Sequence, residues 1–325
     1  MERRNKKRLA AIVAGLMLFA CVGAAQPPEL EEDAAAEPAG AAADAPKPGP
    51  AGLADVNALP LWLAEEPGAR GEVVILDYES AVDKGTPAQA RVYLPHGYNP
   101  NERYDVLFLW PGTDGSSETM LQTAHDCRME DRTLCRLSVA DILDRLIESG
   151  TIRPVLAVCV EEITRTDLRI ARVDIQTVWD LVMQYFSTHA SDETLSQEER
   201  REHFAFVGFS QGAVYTQKLA MAEYFDRFAY YASVSYGSSA PSAAAAVNAS
   251  PYELELLYYL VGNEDDVGAR PAWDSYCLMA SRCREKVRAG DNMILREARL
   301  YIHTYSLVPV ALADLLPRIW PGEQA

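Results

Sequence analysis

Continuous apolar runs separated by amphipathic and polar stretches follow one another along the chain from about residue 70 onward. The longest are typical of strands buried in a parallel sheet and lie at 104–110, 154–160 and 254–261. Other strand-like segments lie at 71–79, 89–94, 228–235 and 298–302. Helical spacing of apolar residues predicts helices over 138–149, 173–186, 213–221, 270–288 and 308–320. We interpret the Ala- and Ser-rich stretch 239–250 as a loop. The alternation predicts an α/β fold whose mostly parallel central sheet has helices on both faces.

One apolar run ends abruptly in glycine, serine and glycine. The segment HFAFVGFSQG occupies residues 203–212, and a helical pattern follows it directly. A strand that turns sharply into a helix with serine at the bend is the context of the GxSxG nucleophile elbow. Gly208 and Gly212 lack a Cβ, so the backbone can approach its neighbours closely at this turn. Ser210 is therefore the candidate nucleophile.

A serine hydroxyl needs an imidazole to take its proton and an acid to orient that imidazole. In the α/β-hydrolase arrangement the acid and then the histidine follow the serine along the chain. Of the five histidines only His303 follows Ser210, and it lies where the last predicted strand ends. The GNEDD segment after the strand 254–261 offers the acid, and we choose Asp265, with Asp266 as the second choice.

The loop PGTDGSS after the strand 104–110 is the second candidate functional stretch. An oxyanion hole takes one amide from the residue after the nucleophile, here Gln211, and one from this loop. Gly112 and Thr113 are placed to supply the second amide. Tyr236, Trp273 and Tyr305 are candidate aromatic residues of the substrate pocket, although each is equally compatible with the core.

The first 60 residues have a different composition from the rest. Residues 1–25 carry a basic start and a short apolar run, which is typical of an export signal. Cleavage by ordinary signal peptidase and lipid attachment at Cys21 both fit the residues around its end. Residues 26–60 are rich in Ala and Pro and predict a disordered linker. We therefore expect an extracellular protein, secreted or anchored by lipid at the cell surface, with a single folded domain at 61–325.

A formal net charge of −17 argues against nucleic acid as a partner. Two cysteine pairs, Cys127 with Cys135 and Cys277 with Cys283, allow two local disulfides and leave Cys159 as a buried thiol. Pairing between the two segments is equally permitted by the sequence. Cys and His residues with zinc-ligand spacing are absent from the sequence, so we expect no metal and no cofactor.

Four segments together resemble a known family. They are RVYLPHGYNPNERYDVLFLWPGTDG from residue 91, LIESGTIRPVLAV from 146, REHFAFVGFSQG from 201 and FDRFAYYASVS from 225. They are similar to the α/β-hydrolase esterases that include bacterial feruloyl and acetylxylan esterases and esterase D-like proteins. The resemblance runs from about residue 91 to the C-terminus. It implies that Ser210, Asp265 and His303 are the triad. Three positions depart from the family pattern: Pro111 replaces the histidine of HG, Gln211 replaces methionine, and Ile302 replaces a common glycine.

These observations imply a serine carboxylic-ester hydrolase that acts through an acyl-enzyme. The resemblance implies feruloyl or acetyl esters of plant polysaccharide as its substrates, with a membrane contact only through a lipid at Cys21. Two alternatives stay open. One is a noncatalytic carbohydrate-binding or scaffold module with a hydrolase fold, and the other is an acyl-thioesterase or general carboxylesterase.

Overall fold

The computed structural model describes residues 52–80, 86–113, 115–161, 167–238 and 240–322. The predicted export signal, Cys21 and residues 26–51 of the predicted linker lie outside these ranges. A search of the described residues for a helix long and apolar enough to cross a membrane finds none.

Within the described residues, one sheet of eight strands forms the centre of the fold. Its strands are β1 Glu72–Ser80, β2 Thr86–Leu94, β3 Asp105–Trp110, β6 Val155–Cys159, β7 Phe204–Phe209, β8 Tyr230–Val234, β9 Leu256–Gly262 and β10 Met293–Ala298, and a hairpin outside it consists of β4 His125–Arg128 and β5 Leu134–Leu137. The order is β1-β2-β6-β3-β7-β8-β9-β10. The β1–β2 and β2–β6 pairs are antiparallel. The other six strands, β6, β3, β7, β8, β9 and β10 in sheet order, are mutually parallel.

The described helices cover both faces of this sheet. They are α1 Ser117–Leu121, α2 Val139–Glu148, α3 Leu168–Tyr185, α4 Gln197–Arg201, α5 Gln211–Tyr215 with a π-helical continuation Thr216–Met221, α6 Pro241–Ala249, α7 Ala269–Arg282 and α8 Leu307–Ile319. One apolar cluster packs α2 and α8 against one face, and a second packs α3, α6 and α7 against the other. This confirms the predicted α/β-hydrolase architecture with a mostly parallel sheet.

The central strands are almost entirely apolar because both of their faces are covered. All residues of β3, β7 and β9 are buried. Because β3 and β7 pair in parallel, with Trp110 opposite Gly208, their carboxyl ends meet at one edge of the sheet. The loops that carry Gly112 and Ser210 leave from this edge.

Two predicted elements were wrong. The last strand is Met293–Ala298 and not 298–302, so His303 lies in a loop five residues beyond the strand. Residues 241–249 form helix α6 where we expected a loop. Its alanines favour helix intrinsically, and Pro241 fits the first turn, where no N–H is needed.

The folded domain begins within the stretch that we predicted to be a disordered linker. Val56 and Leu59 are buried in the core, and the Leu59 N–H donates to the Arg128 carbonyl at 2.8 Å. These two apolar side chains cover the cluster beside α2 and β4. The described residues 52–60 therefore belong to the folded domain.

The expected disulfides are absent, since all five cysteines from Cys127 onward, which the described ranges include, are free thiols. Cys277 is exposed on α7, whereas Cys283 at the end of that helix is buried, so their side chains face different surroundings. Cys127 and Cys135 lie opposite each other in the β4–β5 hairpin but are not bonded. Cys159 is the buried thiol that we expected.

Candidate active site

Ser210 occupies a strained turn between β7 and α5. Its φ of 52° and ψ of −112° lie where a residue with a side chain is seldom found. The turn is tight because a Cβ on Gly208 would lie 2.0 Å from the Gly212 carbonyl oxygen. A Cβ on Gly212 would lie 2.1 Å from the Trp110 carbonyl oxygen. The Ser210 N–H donates to the Val234 carbonyl at 2.9 Å, which fixes the bend to the end of β8.

Three side chains from three loops form a continuous hydrogen-bonded chain. Ser210 Oγ lies 2.8 Å from His303 Nε2. His303 Nδ1 lies 3.1 Å from each carboxylate oxygen of Asp265. With Nδ1 protonated, the imidazole donates to Asp265, and its Nε2 lone pair accepts the serine hydroxyl. This arrangement can remove a proton from Ser210 and return it to a leaving group.

Asp265 is the buried acid of the GNEDD segment. It is 2% exposed, whereas Glu264 and Asp266 are exposed to solvent. Its Oδ1 accepts N–H groups from Val267 at 3.0 Å and from Gly268 at 2.6 Å. Burial disfavours the charged carboxylate, but the hydrogen bonds that it accepts, led by that from the imidazole, outweigh burial and hold the pKa of Asp265 below its usual range.

Ser235 is a residue of this site that the sequence analysis missed. Its hydroxyl donates to Asp265 Oδ2 through a short hydrogen bond, and its Oγ lies 3.2 Å from His303 Nδ1. Its φ of 57° is left-handed, which is unusual for a serine directly after a buried strand. The position of Ser235 at the end of β8, beside the elbow strand, was the one signal in the sequence that could have suggested it.

The loop after β3 lies against the elbow. A Cβ on Gly112 would be 3.0 Å from the Ser210 Cβ, so the loop backbone reaches the serine closely. The Gly112 N–H, however, donates to the Tyr305 hydroxyl at 2.8 Å. Of the two predicted loop donors, the Gly112 N–H is therefore already used in the hydrogen bond to Tyr305. Thr113 is exposed at the same edge, and Gln211 begins α5, where the first N–H groups lack intrahelical acceptors.

The three candidate pocket aromatics lie in different surroundings. Tyr305 packs against Phe209 with ring centroids 4.2 Å apart and against His125 at 5.4 Å, so it braces the loop of His303 against the elbow strand. Tyr236 is half-buried and directly follows Ser235. Trp273 is 52% exposed on α7 and stacks on Tyr276.

Two clefts adjoin the loop that carries His303. One has a volume of about 500 Å³ and is lined by the hairpin residues His125 and Asp126 together with Thr304 and Ser306. The other, of about 160 Å³, lies between Leu134 of the hairpin and the 300–306 loop. The β4–β5 hairpin thus forms one wall beside the candidate active site.

A family model described as "Putative esterase" matches residues 83–274, which is more than half of the chain. The chain belongs to this family. It is therefore a carboxylic-ester hydrolase with the α/β-hydrolase fold. The matched region includes the elbow, the loop after β3 and Asp265, and it ends before His303.

Known proteins are similar to this chain in sequence and in fold. Endo-1,4-beta-xylanase Y of Acetivibrio thermocellus is 29% identical over 176 residues, which are 49% of this chain and 15% of that protein. The chain thus matches only a small part of the xylanase. A feruloyl esterase module from Clostridium thermocellum, solved with sinapinate, superimposes with a TM-score of 0.65 at 21% identity over 83% of this chain and 95% of that one. A ferulic acid esterase from Anaeromyces mucronatus gives 0.60 at 15% identity, over 82% and 98% of the two chains. These two likenesses show the fold.

The departures from the family pattern leave the hydrogen-bonded chain intact. Pro111 is buried at the end of β3, and the Ile302 side chain is exposed beside His303. Neither interrupts the contacts from Ser210 through His303 to Asp265. The alternative of a noncatalytic module, which rested on these departures, has no support in the geometry.

Proposed function

We propose that this esterase acts through a serine nucleophile and an acyl-enzyme intermediate. The observation that carries the proposal is the unbroken hydrogen-bond chain from Ser210 through His303 to the buried Asp265. A hydroxyl in this setting can lose its proton to Nε2 as it attacks, and the buried carboxylate stabilises the imidazolium that forms.

In the first half of the reaction, Ser210 Oγ bonds to the ester carbonyl carbon while its proton moves to His303 Nε2. The carbonyl oxygen becomes an oxyanion, which the amides of Gln211 and Thr113 stabilise by hydrogen bonding. The ester C–O bond then breaks, and His303 gives its proton to the leaving alcohol. Water repeats the same steps in the second half and releases the acid from the serine.

The proposed substrates are feruloyl or acetyl esters on plant polysaccharide. The xylanase that matches half of this chain and the feruloyl esterases that share its fold support this class. A polymer cannot enter the cell, so an exported enzyme, secreted or lipid-anchored at Cys21, fits the same proposal.

Burst kinetics with p-nitrophenyl acetate test the mechanism. We expect a burst of p-nitrophenol equal to the enzyme concentration, followed by slower turnover limited by deacylation. Ser210→Ala and His303→Ala abolish the burst. Ser281→Ala and His96→Ala change exposed residues of the same types and keep it. Steady hydrolysis by Ser210→Ala would rule the mechanism out.

Matched substrates test the specificity. Feruloylated and acetylated xylan fragments are compared with an acyl thioester of the same acyl group. We expect a higher kcat/KM on the polysaccharide esters. Preference for the thioester would favour the acyl-thioesterase alternative while leaving the serine mechanism in place.

A further inference from the structure

A second cluster of titratable side chains lies at the opposite end of the sheet from Ser210. Asp105 is the first residue of β3, and His203 directly precedes β7. His189 begins a 3₁₀ turn, His189–Ser191. Because Ser210 follows the far end of β7, six strand residues, or about 20 Å, separate it from this cluster. The ester hydrolysis described above makes no use of these side chains.

Backbone contacts hold the three segments of the cluster together. The Val106 N–H donates to the His203 carbonyl at 2.8 Å, which joins β3 to the start of β7. The Tyr104 N–H donates to the Ser187 carbonyl at 3.3 Å, which joins the residue before β3 to the segment of His189. These backbone hydrogen bonds place the three segments next to one another.

The side-chain geometry is compact. His203 Nδ1 lies 2.6 Å from Asp105 Oδ1, and the rings of His189 and His203 stack with centroids 3.6 Å apart. One ligand atom from each of the three residues lies within 4.8 Å of the other two. Ligand atoms on a tetrahedral zinc ion are about 3.4 Å apart, given bonds of 2.0–2.2 Å. To bind such an ion, His203 Nδ1 and Asp105 Oδ1 must move about 0.8 Å apart, and one imidazole must rotate out of the stack, because the lone pair of each ring lies in the ring plane.

His189 Nδ1 gives an independent indication of a ligand. This nitrogen is buried, and among the described residues it has no hydrogen-bond partner. A buried polar atom without a partner costs free energy, and a bound ion or water is a common reason for its presence. Its lone pair is the group that a metal ion would satisfy.

We propose that Asp105, His189 and His203 form a zinc site that ties the segment 187–191 to the ends of β3 and β7. Two imidazoles and one carboxylate are a donor set that suits zinc, with water in the fourth position. His189 lies between Thr188 and Ala190, which line a cavity of about 400 Å³. Zinc-ligand spacing is missing from the sequence because the ligands are 84 and 14 residues apart.

Arg153 would compete with a metal ion for the Asp105 carboxylate. Its Nε forms a short ion pair with Asp105 Oδ2, and its side chain is 44% exposed. A divalent ion bound to Asp105 would repel the guanidinium, which can turn outward to solvent. Removal of this positive charge should therefore tighten zinc binding.

Calorimetric titration of the full chain with Zn²⁺ alone, paired with thermal unfolding, tests the proposal. We expect one bound zinc and a raised Tm for the unaltered chain. His189→Gln weakens binding at least tenfold, and Arg153→Gln strengthens it several-fold. His96→Gln removes an exposed histidine, Cys277→Ser removes an exposed thiol, and both leave zinc binding unchanged.

The esterase burst reports whether each variant is folded, since the cluster lies far from Ser210. Equal zinc affinity in His189→Gln and the unaltered chain would overturn the proposal, as would loss of binding in Cys277→Ser. If His189→Gln fails to fold, the zinc affinity of Arg153→Gln decides. A zinc affinity of Arg153→Gln that is no higher than that of the unaltered chain would contradict the site.

Discussion

At the residue scale, the candidate site depends on which acid of GNEDD is buried. Asp265 accepts two backbone N–H groups and a serine hydroxyl, whereas Asp266 next to it points to solvent. The two residues have the same chemistry and differ only in where the loop places them. Their asparagine variants are therefore a matched pair.

We predict that Asp265→Asn lowers kcat on aryl esters by about 10⁴-fold, because the amide no longer holds the imidazole in the required tautomer. The kcat of Asp266→Asn stays within about twofold of that of the unaltered chain, as expected for an exposed polar substitution. Steady-state kinetics on both variants check this. Similar losses in the two would show that burial does not identify the acid.

The lowered pKa of Asp265 also makes a prediction about stability. A carboxyl whose pKa is lower in the folded protein contributes stability that is present above its unfolded pKa of about 3.9. That contribution disappears as the pH falls through the folded value. Chemical denaturation between pH 2 and 7 should therefore show the unaltered chain losing stability relative to Asp265→Asn only below about pH 4. A gap that is constant across this range would contradict the assigned hydrogen bonds.

Residue types and their order along the chain predicted Ser210 and His303 as candidates, because the serine lies in a distinctive turn and one histidine follows it. The same reasoning could only rank the acids, since burial within a five-residue loop leaves no periodic signal. Sequence patterns did not predict Ser235 as a site residue, because its role depends on a left-handed φ and on contacts between two loops. The Gly112 amide is occupied by a hydroxyl 193 residues away, which no local pattern records.

At the element scale, the elbow between β7 and α5 is held by close backbone approach. Helix propensity alone predicts that Gly212→Ala stabilises α5. We predict the opposite, a loss of about 3 kcal/mol or more, because the new Cβ would meet the Trp110 carbonyl oxygen.

Gly97→Ala is the control for that variant. Gly97 has a φ of 73°, and a methyl group added there would have no other atom within 4 Å, so only the backbone cost of about 1–2 kcal/mol applies. Equilibrium unfolding in urea measures both variants. Equal losses would mean that contact at the elbow is not what requires glycine.

Apolar periodicity located the buried strands well, since β3, β7 and β9 are covered on both faces. It failed for the edge strand β10, whose burial is partial and interrupted by polar residues. It also failed for α6, because a run of alanines carries no contrast between a polar and an apolar face. Sequence patterns record burial, and they weaken where burial is incomplete, as in β10, or where the residue type does not change with burial, as in α6.

At the scale of the whole molecule, the folded domain begins before residue 61. Leu59 is fully buried, whereas Leu61 two residues later is 44% exposed. We predict that Leu59→Ala costs about 2–5 kcal/mol of unfolding free energy. Leu61→Ala changes the unfolding free energy by less than about 0.5 kcal/mol. Thermal or urea unfolding of the pair decides, and a small effect of Leu59→Ala would mean that this segment contributes little to the fold.

The parallel sheet separates two sets of side chains at its two ends. Ser210, Asp265 and His303 gather at the carboxyl ends of the strands, where ligands bind in open α/β sheets. Asp105, His189 and His203 gather at the amino ends. The order of residue types and the family resemblance both pointed to the first set, whereas the second is brought together by long-range packing.

Trapping the acyl-enzyme is the decisive experiment for the proposed serine mechanism. The full chain is mixed with p-nitrophenyl acetate, quenched in acid during the burst, digested and analysed by mass spectrometry. We expect one added acetyl group on the peptide that contains Ser210, and no such group in Ser210→Ala or His303→Ala. An acetyl group on another residue in step with turnover, or turnover with no acylated serine, would contradict the mechanism.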